Sequence, residues 1–259
     1  MNTPAVTPAL SGLHAAVTGG GSGIGAAVAQ RLAAAGARVT LLGRNLDKLQ
    51  GQAAALASLG QVEVCLVDVA DEASVKAAFL QIGAVDILVN NAGQVETAPL
   101  AKTSLALWQT MLNVNLTGTF LCSREVVDGM SERGFGRIIN VASTAAITGY
   151  AYVAAYCAAK HGVLGLTRAM AMEFAKKGVT INAVCPGYTE TDIIARALDK
   201  IADKTGRSLD AARAELVAAN PQGRLVQPQE VADTVLWLAQ RGSSAVTGQA
   251  IAVCGGELM

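Results

Sequence analysis

Apolar runs of about five residues alternate with Ala-rich segments whose apolar positions recur at helical spacing. The runs predict strands at His14–Thr18, Arg38–Gly43, Val62–Val67, Ile87–Asn90, Gly136–Ala142, Thr180–Val184 and Ala250–Val253. The segments between them predict helices at Gly23–Ala35, Leu46–Leu59, Glu72–Gln81, Ser104–Arg133, Val153–Lys177 and Pro228–Ala239, the third and fourth open to a split or a shift of a few residues. Ile87-Leu88-Val89 and Ala183-Val184 are apolar without interruption, as strands covered on both faces are. Such alternation implies right-handed βαβ units. The expected fold is therefore α/β: a Rossmann-like, doubly wound, mostly parallel seven-stranded sheet with helices on both faces. Ligands in that architecture bind at the carboxyl ends of the strands.

No repeat, low-complexity linker or long charge run divides the chain, so a single domain over residues 11–259 is expected behind a flexible tail, Met1 to Leu10. Composition narrows the partners. Of 259 residues, 52% are hydrophobic and 15% charged, which fits a buried sheet rather than disorder. Twenty basic and twenty acidic residues cancel, leaving no surplus to neutralise phosphates, so nucleic acid is not expected as a partner. No apolar stretch reads as a membrane span, and the first residues lack a secretory pattern. Five cysteines without a Cys-x-x-Cys pair suggest a reduced, cytoplasmic protein. With His14 and His161 as its only histidines, the chain gives no His-rich metal site, and no metal is expected.

The chemistry gathers at strand ends. The first strand runs into Thr18-Gly19-Gly20-Gly21-Ser22-Gly23-Ile24-Gly25, and a helix follows. Glycines permit a tight turn and close approach of a pyrophosphate, while the helix N-terminus offers N–H donors and a positive dipole end. The alternative is a tight strand-to-helix turn with no ligand. After the second strand, Gly43 stands where an acidic residue would bind the ribose 2′-OH of NAD, and Arg44 follows, suited to the 2′-phosphate of NADP. This favours NADP over NAD; the alternative is a solvated Arg44 stacking on adenine with either cofactor accepted. Asp68-Val69 ends the third strand, where Asp68 could also cap the next helix. Asn90-Asn91-Ala92-Gly93 ends the fourth. Ser143 ends the fifth; Tyr156 and Lys160 follow on a helix, four residues apart and so on one face. A phenol can donate a proton to the alkoxide that hydride transfer leaves on a ketone, and a nearby ammonium should lower its pKa from about 10. Tyr-x-x-x-Lys alone occurs by chance; the combination in this order does not.

The spacing Gly-x-x-x-Gly-x-Gly, with Asn-Asn-Ala-Gly, Ser143 and Tyr156-x-x-x-Lys160, resembles the short-chain dehydrogenase/reductase family from about Leu10 to Gly256. The resemblance implies an NAD(P)-dependent enzyme interconverting a secondary alcohol and a ketone. It implies catalytic roles for Asn115 (a water anchor and proton relay), Ser143 (a hydrogen bond to the substrate oxygen), Tyr156 and Lys160. Cofactor contacts are implied at Thr18, Gly19, Ser22, Gly23, Ile24, Gly25, Arg44, Asp68, Val69, Asn91, Ala92, Gly93, Tyr156 and Lys160. After the sixth strand they are implied at Pro186, Gly187, Thr189 and Thr191. Family members using NADP often carry a basic residue inside the glycine turn, where this chain has Ser22. Tyr150 and Tyr152 suit a pocket wall; Cys157 and His161 suit packing. Residues 190–226 suggest a helical substrate lid, with Leu198, Ile201, Leu209, Leu216 and Val217 packing or lining it. Asp199–Pro221 and Gly223–Pro228 resemble 3-hydroxybutyrate dehydrogenases and polyketide ketoreductases, pointing to a 3-hydroxyacyl/3-oxoacyl substrate. A hydroxysteroid-like or aromatic alcohol dehydrogenase, or a nicotinamide-binding protein without catalysis, are the alternatives. The helices of Asn115 and Tyr156 pair across subunits in relatives, so a homotetramer is expected.

Overall fold

The computed structural model describes residues 8–259. Seven strands form one sheet in the order β3-β2-β1-β4-β5-β6-β7, every neighbouring pair parallel. They are β1 (His14–Thr18), β2 (Arg38–Gly43), β3 (Val62–Leu66), β4 (Ile87–Asn90), β5 (Gly136–Val141), β6 (Val179–Pro186) and β7 (Ala250–Val253). The sequence order reverses between β1 and β4, which opens a crevice at their carboxyl ends. Helix α1 (Gly23–Ala34) follows β1 and α2 (Leu46–Leu56) follows β2. Next come α3 (Glu72–Ile82), α4 (Leu105–Leu112), α5 (Gly118–Glu132) and α6 (Ala154–Phe174), then α7 (Asp192–Thr205), α8 (Leu209–Val217) and α9 (Pro228–Ala239).

Two apolar layers sandwich the sheet. On one face Val28, Leu32, Val231 and Val235 of α1 and α9 bury against Val17, Val39 and Val89. On the other, Phe79, Val126, Met130 and Phe174 of α3, α5 and α6 pack on Ala16, Leu88 and Ile138. All these side chains are at most 6% exposed, and burial of such residues stabilises the fold by about 1.5–3 kcal/mol each. Local signals set the ends. Asp71 caps α3, accepting from the amides of Ala73 (2.9 Å) and Ser74 (3.4 Å). Pro228 opens α9 behind a Gln227–Glu230 capping box.

One expectation needs correcting, and two alternatives left open by the sequence are resolved. The sequence places a tail through Leu10, but Leu10 is fully buried and its amide donates to the Ala35 carbonyl at 2.9 Å; residues 1–7 lie outside the described residues. Asp68 does not cap α3, since Asp71 does. The split left open for the helix over Ser104–Arg133 is present: two helices are joined by a π-helical turn, Asn113–Thr117.

Candidate active site

The glycine turn is shaped by contacts that leave no room for side chains. Gly19 and Gly23 adopt positive φ, +66° and +54°. A Cβ on Gly25 would fall 2.3 Å from the Gly19 carbonyl oxygen, and one on Gly19 would fall 2.8 Å from Asn91 Nδ2. Asn91 staples the turn to β4: its Nδ2 donates to the carbonyls of Thr18 (3.0 Å) and Gly19 (3.3 Å). Thr18 Oγ1 in return accepts from the amides of Asn91 and Ala92, both at 2.9 Å. Helix α1 starts here with no acidic residue in its first turn, and exposed Ser22 makes no capping bond, so the helix end keeps its positive character. Ile24 is half-buried against the apolar core. The opposite lip is Thr191, whose Cγ2 lies 3.2 Å from where a Cβ of Gly23 would stand. Gly93 is equally constrained, with Asn115 Oδ1 at 2.8 Å from a would-be Cβ. A cradle of backbone amides that any Cβ would fill fits the pyrophosphate and ribose of a nicotinamide dinucleotide.

Arg44 stands at the end of β2 with its side chain two-thirds exposed. Its Nη1 is 3.9 Å from Asp68 Oδ2, a loose surface pair of little energetic weight that leaves the guanidinium available to an anion. Asp68 also accepts from the Ala70 amide at 3.0 Å. Val69 is buried, and a Cβ on Gly118, the first residue of α5, would fall 2.9 Å from its side chain. Asn90 runs a buried network, donating to Ser123 Oγ (3.0 Å) and to Asn140 Oδ1 (2.9 Å).

The residues expected to carry chemistry converge beyond β5. Ser143 Oγ accepts from the Ala145 amide at 3.1 Å, leaving its proton free to donate. Tyr156 and Lys160 lie one turn apart on α6, with Lys160 Nζ 5.6 Å from the centroid of the Tyr156 ring. Lys160 is buried and donates to the Val141 carbonyl at 2.9 Å. Burial lowers its pKa to about 8, opposed weakly by the Cys185 thiol. Burial likewise raises the Tyr156 phenol to about 12, with Ser143 pulling it down. The expectation that Lys160 lowers the phenol pKa is therefore not met: the ammonium points at a backbone carbonyl, and desolvation dominates both groups. Asn115 occupies the π turn, fully buried. Its Nδ2 donates to the carbonyls of Gln94 (3.0 Å) and Met111 (2.9 Å), and its Oδ1 accepts from the Gln94 amide (3.2 Å). The π turn thus ties the loop after β4 to α4, beside Gly93.

The substrate side lies past β6. Thr189 Oγ1 donates to the Gly187 carbonyl (2.9 Å), and Thr191 Oγ1 to the Thr189 carbonyl (3.2 Å). Residues 190–226 leave and return at one point. Glu190 N donates to the Val226 carbonyl and Val226 N to the Tyr188 carbonyl, both at 2.9 Å. Helices α7 and α8 fill that excursion. Leu198 is buried, Leu216 and Val217 are half-buried, and Leu209, the first residue of α8, is 52% exposed. The Ile201 side chain lies outside the described residues. Tyr150 and Tyr188 meet edge to face, centroids 6.3 Å apart. Tyr152 is held at φ +67° while its carbonyl accepts from the Ala98 amide at 2.8 Å, a strained residue at the cleft mouth. Sequence reasoning missed Tyr188 and Glu257: the Tyr150 hydroxyl donates to Glu257 Oε1. No motif marks either residue; only the placement of β7 beside β6 brings Glu257 here.

The glycine cradle, Asn91 staple and Ser143–Tyr156–Lys160 cluster define a dinucleotide-dependent oxidoreductase. A family model described as "Enoyl-(Acyl carrier protein) reductase" matches residues 19–257. A protein of Streptomyces coelicolor provisionally named a ketoacyl reductase is 41% identical over 249 residues, 93% of this chain and 95% of that one. A cis-4-hydroxycyclohexanecarboxylate dehydrogenase of Sinomonas cyclohexanicum is 40% identical, covering 93% and 95%. The crystal structure of a single-residue variant of actinorhodin polyketide ketoreductase with NADPH superposes with a TM-score of 0.89 at 40% identity, covering 95% and 97% of the two chains. The chain belongs to the short-chain dehydrogenase/reductase family and is an NAD(P)-dependent oxidoreductase interconverting secondary alcohols and ketones. Among the described residues no helix is long and apolar enough to cross a membrane, and no cluster of His, Cys, Asp or Glu could hold a metal ion.

Proposed function

We propose that the chain is a cytoplasmic, homotetrameric ketoreductase that prefers NADP(H) and reduces a 3-oxoacyl group to the 3-hydroxyacyl product. One observation carries this reading: Ser143, Tyr156 and Lys160 converge past β5, at the same sheet end as a glycine cradle too tight for any side chain but open to a pyrophosphate. The ketoacyl and polyketide ketoreductase names of its relatives support the substrate class, and the NADPH of the polyketide ketoreductase structure supports the cofactor. The exposed guanidinium of Arg44 supports it from within the chain.

When bound, the reduced nicotinamide supplies the hydride. Thr18, Gly19, Ser22, Gly23, Ile24 and Gly25 would hold the phosphates, Arg44 would take the 2′-phosphate, and Asp68 and Val69 would contact the adenine. Asn91, Ala92 and Gly93 would hold the ribose, and Pro186, Gly187, Thr189 and Thr191 the nicotinamide side. Ser143 donates to the substrate carbonyl oxygen and stabilises charge developing there. Tyr156, kept protonated by a pKa of about 12, gives its proton to the same oxygen. Lys160, with a pKa of about 8, is already an ammonium at neutral pH and favours the phenolate left on Tyr156. Lys160 then returns a proton to the Tyr156 phenolate, and Asn115, at the π turn, holds a water through which Lys160 is reprotonated.

The test is a parallel fluorescence titration with NADPH and NADH, then the nicotinamide absorbance decay with a panel of 3-oxoacyl esters and aryl ketones. Tighter NADPH binding and turnover of the 3-oxoacyl members are expected. Preference for NADH, or turnover of aryl ketones alone, would contradict the reading.

A further inference from the structure

The end of the chain returns to the site. β7 is the edge strand beside β6, so the residues after it emerge next to Gly187. Gly255 and Gly256 take φ of +64° and +93°, which turns the backbone sharply and carries Glu257 over the end of β6. Glu257 Oε2 lies 3.0 Å from where a Cβ of Gly187 would stand. Its Oε1 accepts from Tyr150, whose hydroxyl is also 2.8 Å from Thr144 Oγ1, the residue directly after Ser143. The Tyr188 ring lies against Tyr150. Burial and the adjacent Glu257 carboxylate raise the pKa of both phenols. Glu257 makes no ion pair among the described residues.

A carboxylate held by a phenol donor projects a negative potential into its surroundings. Here those surroundings are Thr144, Tyr150, Gly187 and Tyr188, one residue from Ser143 on one side and one from Pro186 on the other. We infer that Glu257, held by Tyr150, is a specificity-determining residue that makes the substrate pocket reject ketones carrying a free carboxylate and accept neutral or cationic ones. The inference rests on the ketoreductase reading and refines its substrate class: a 3-oxoacyl group presented as an ester, thioester or amide enters, and the free 3-oxo acid does not.

The test compares three ketones of one scaffold with NADPH: methyl 3-oxobutanoate, 3-oxobutanoate, and the 3-oxobutanoyl amide of 1,2-diaminoethane as the cation. Relative kcat/KM is read in wild type, Glu257→Gln and Tyr150→Phe. Wild type should favour the ester over the acid by about tenfold or more, with the cation at least matching the ester. Glu257→Gln should collapse the ester-to-acid ratio by about tenfold, and added salt should narrow it in wild type but not in the variant. Tyr150→Phe, which leaves the charge in place and removes its donor, should keep or widen the ratio; it decides the matter if Glu257→Gln does not fold. A wild type that favours the acid, a ratio unchanged in Glu257→Gln, or one that collapses in Tyr150→Phe overturns the inference. Wild type inactive on all three would overturn the ketoreductase reading itself, and this inference with it.

Discussion

Lys160 sits over the Tyr156 ring, 5.6 Å from its centroid, yet directs its hydrogen bond to the Val141 carbonyl at 2.9 Å. The pair is thus poised rather than coupled. Desolvation depresses the lysine and elevates the phenol, so at neutral pH the buried ammonium destabilises the fold.

That penalty has a definite pH dependence. The folded-state pKa of Lys160, about 8, lies below the ordinary lysine value of 10.5, so between them the unfolded chain binds more protons and stability rises with pH. The penalty is fully present below about pH 8 and is relieved towards pH 10.5. Lys160→Met should therefore melt higher than wild type at pH 7, by a stability gain of roughly 3 kcal/mol at most, and the gap should shrink towards about pH 10. Thermal melts of the two proteins from about pH 6 to about pH 10 check this. A gap that widens with pH would contradict the assignment.

Arg44 should separate the two cofactors. Arg44→Ala removes the guanidinium at the end of β2 and should weaken NADPH binding by about ten- to a hundredfold while leaving NADH within a few-fold. Fluorescence titration with both dinucleotides reads the difference. Equal losses for the two would mean that Arg44 meets the adenine and not a phosphate.

Gly25 tests the cradle. A methyl group there would meet the Gly19 carbonyl at 2.3 Å and Asn91 Nδ2 at 2.5 Å, so the turn must open. Gly25→Ala should lose about tenfold or more in affinity for both dinucleotides and about 1–3 kcal/mol of stability, read by titration and by denaturant melts.

What the sequence disclosed follows from which features are local. The glycine turn, Asn91 and the Tyr156–Lys160 face are legible because each is written in a few adjacent residues whose strand or helix context the apolar pattern supplies. The π turn at Asn113–Thr117 is not, because the pattern from Ser104 to Arg133 is helical throughout and the break depends on Asn115 bonding back to Met111 and across to Gln94. Leu10 reads as tail because a single leucine shows no periodicity; its burial depends on the distant Ala35 carbonyl. Glu257 is invisible for the same reason in stronger form, since its place beside Tyr150 depends on the pairing of β7 with β6. The aim of Lys160 at Val141, and with it the direction of both pKa shifts, depends on burial that no spacing encodes.

The most direct measurement is the rate of NADPH oxidation by a 3-oxobutanoyl thioester in wild type and Tyr156→Phe, with NADPH affinity measured on the same samples. The phenylalanine keeps the ring beneath Lys160 and removes only the proton donor. A fall in kcat of about a hundred- to ten-thousandfold with NADPH affinity within a few-fold of wild type is expected. Turnover by Tyr156→Phe at the wild-type rate would contradict the account, for it would mean that the proton reaches the substrate from another group.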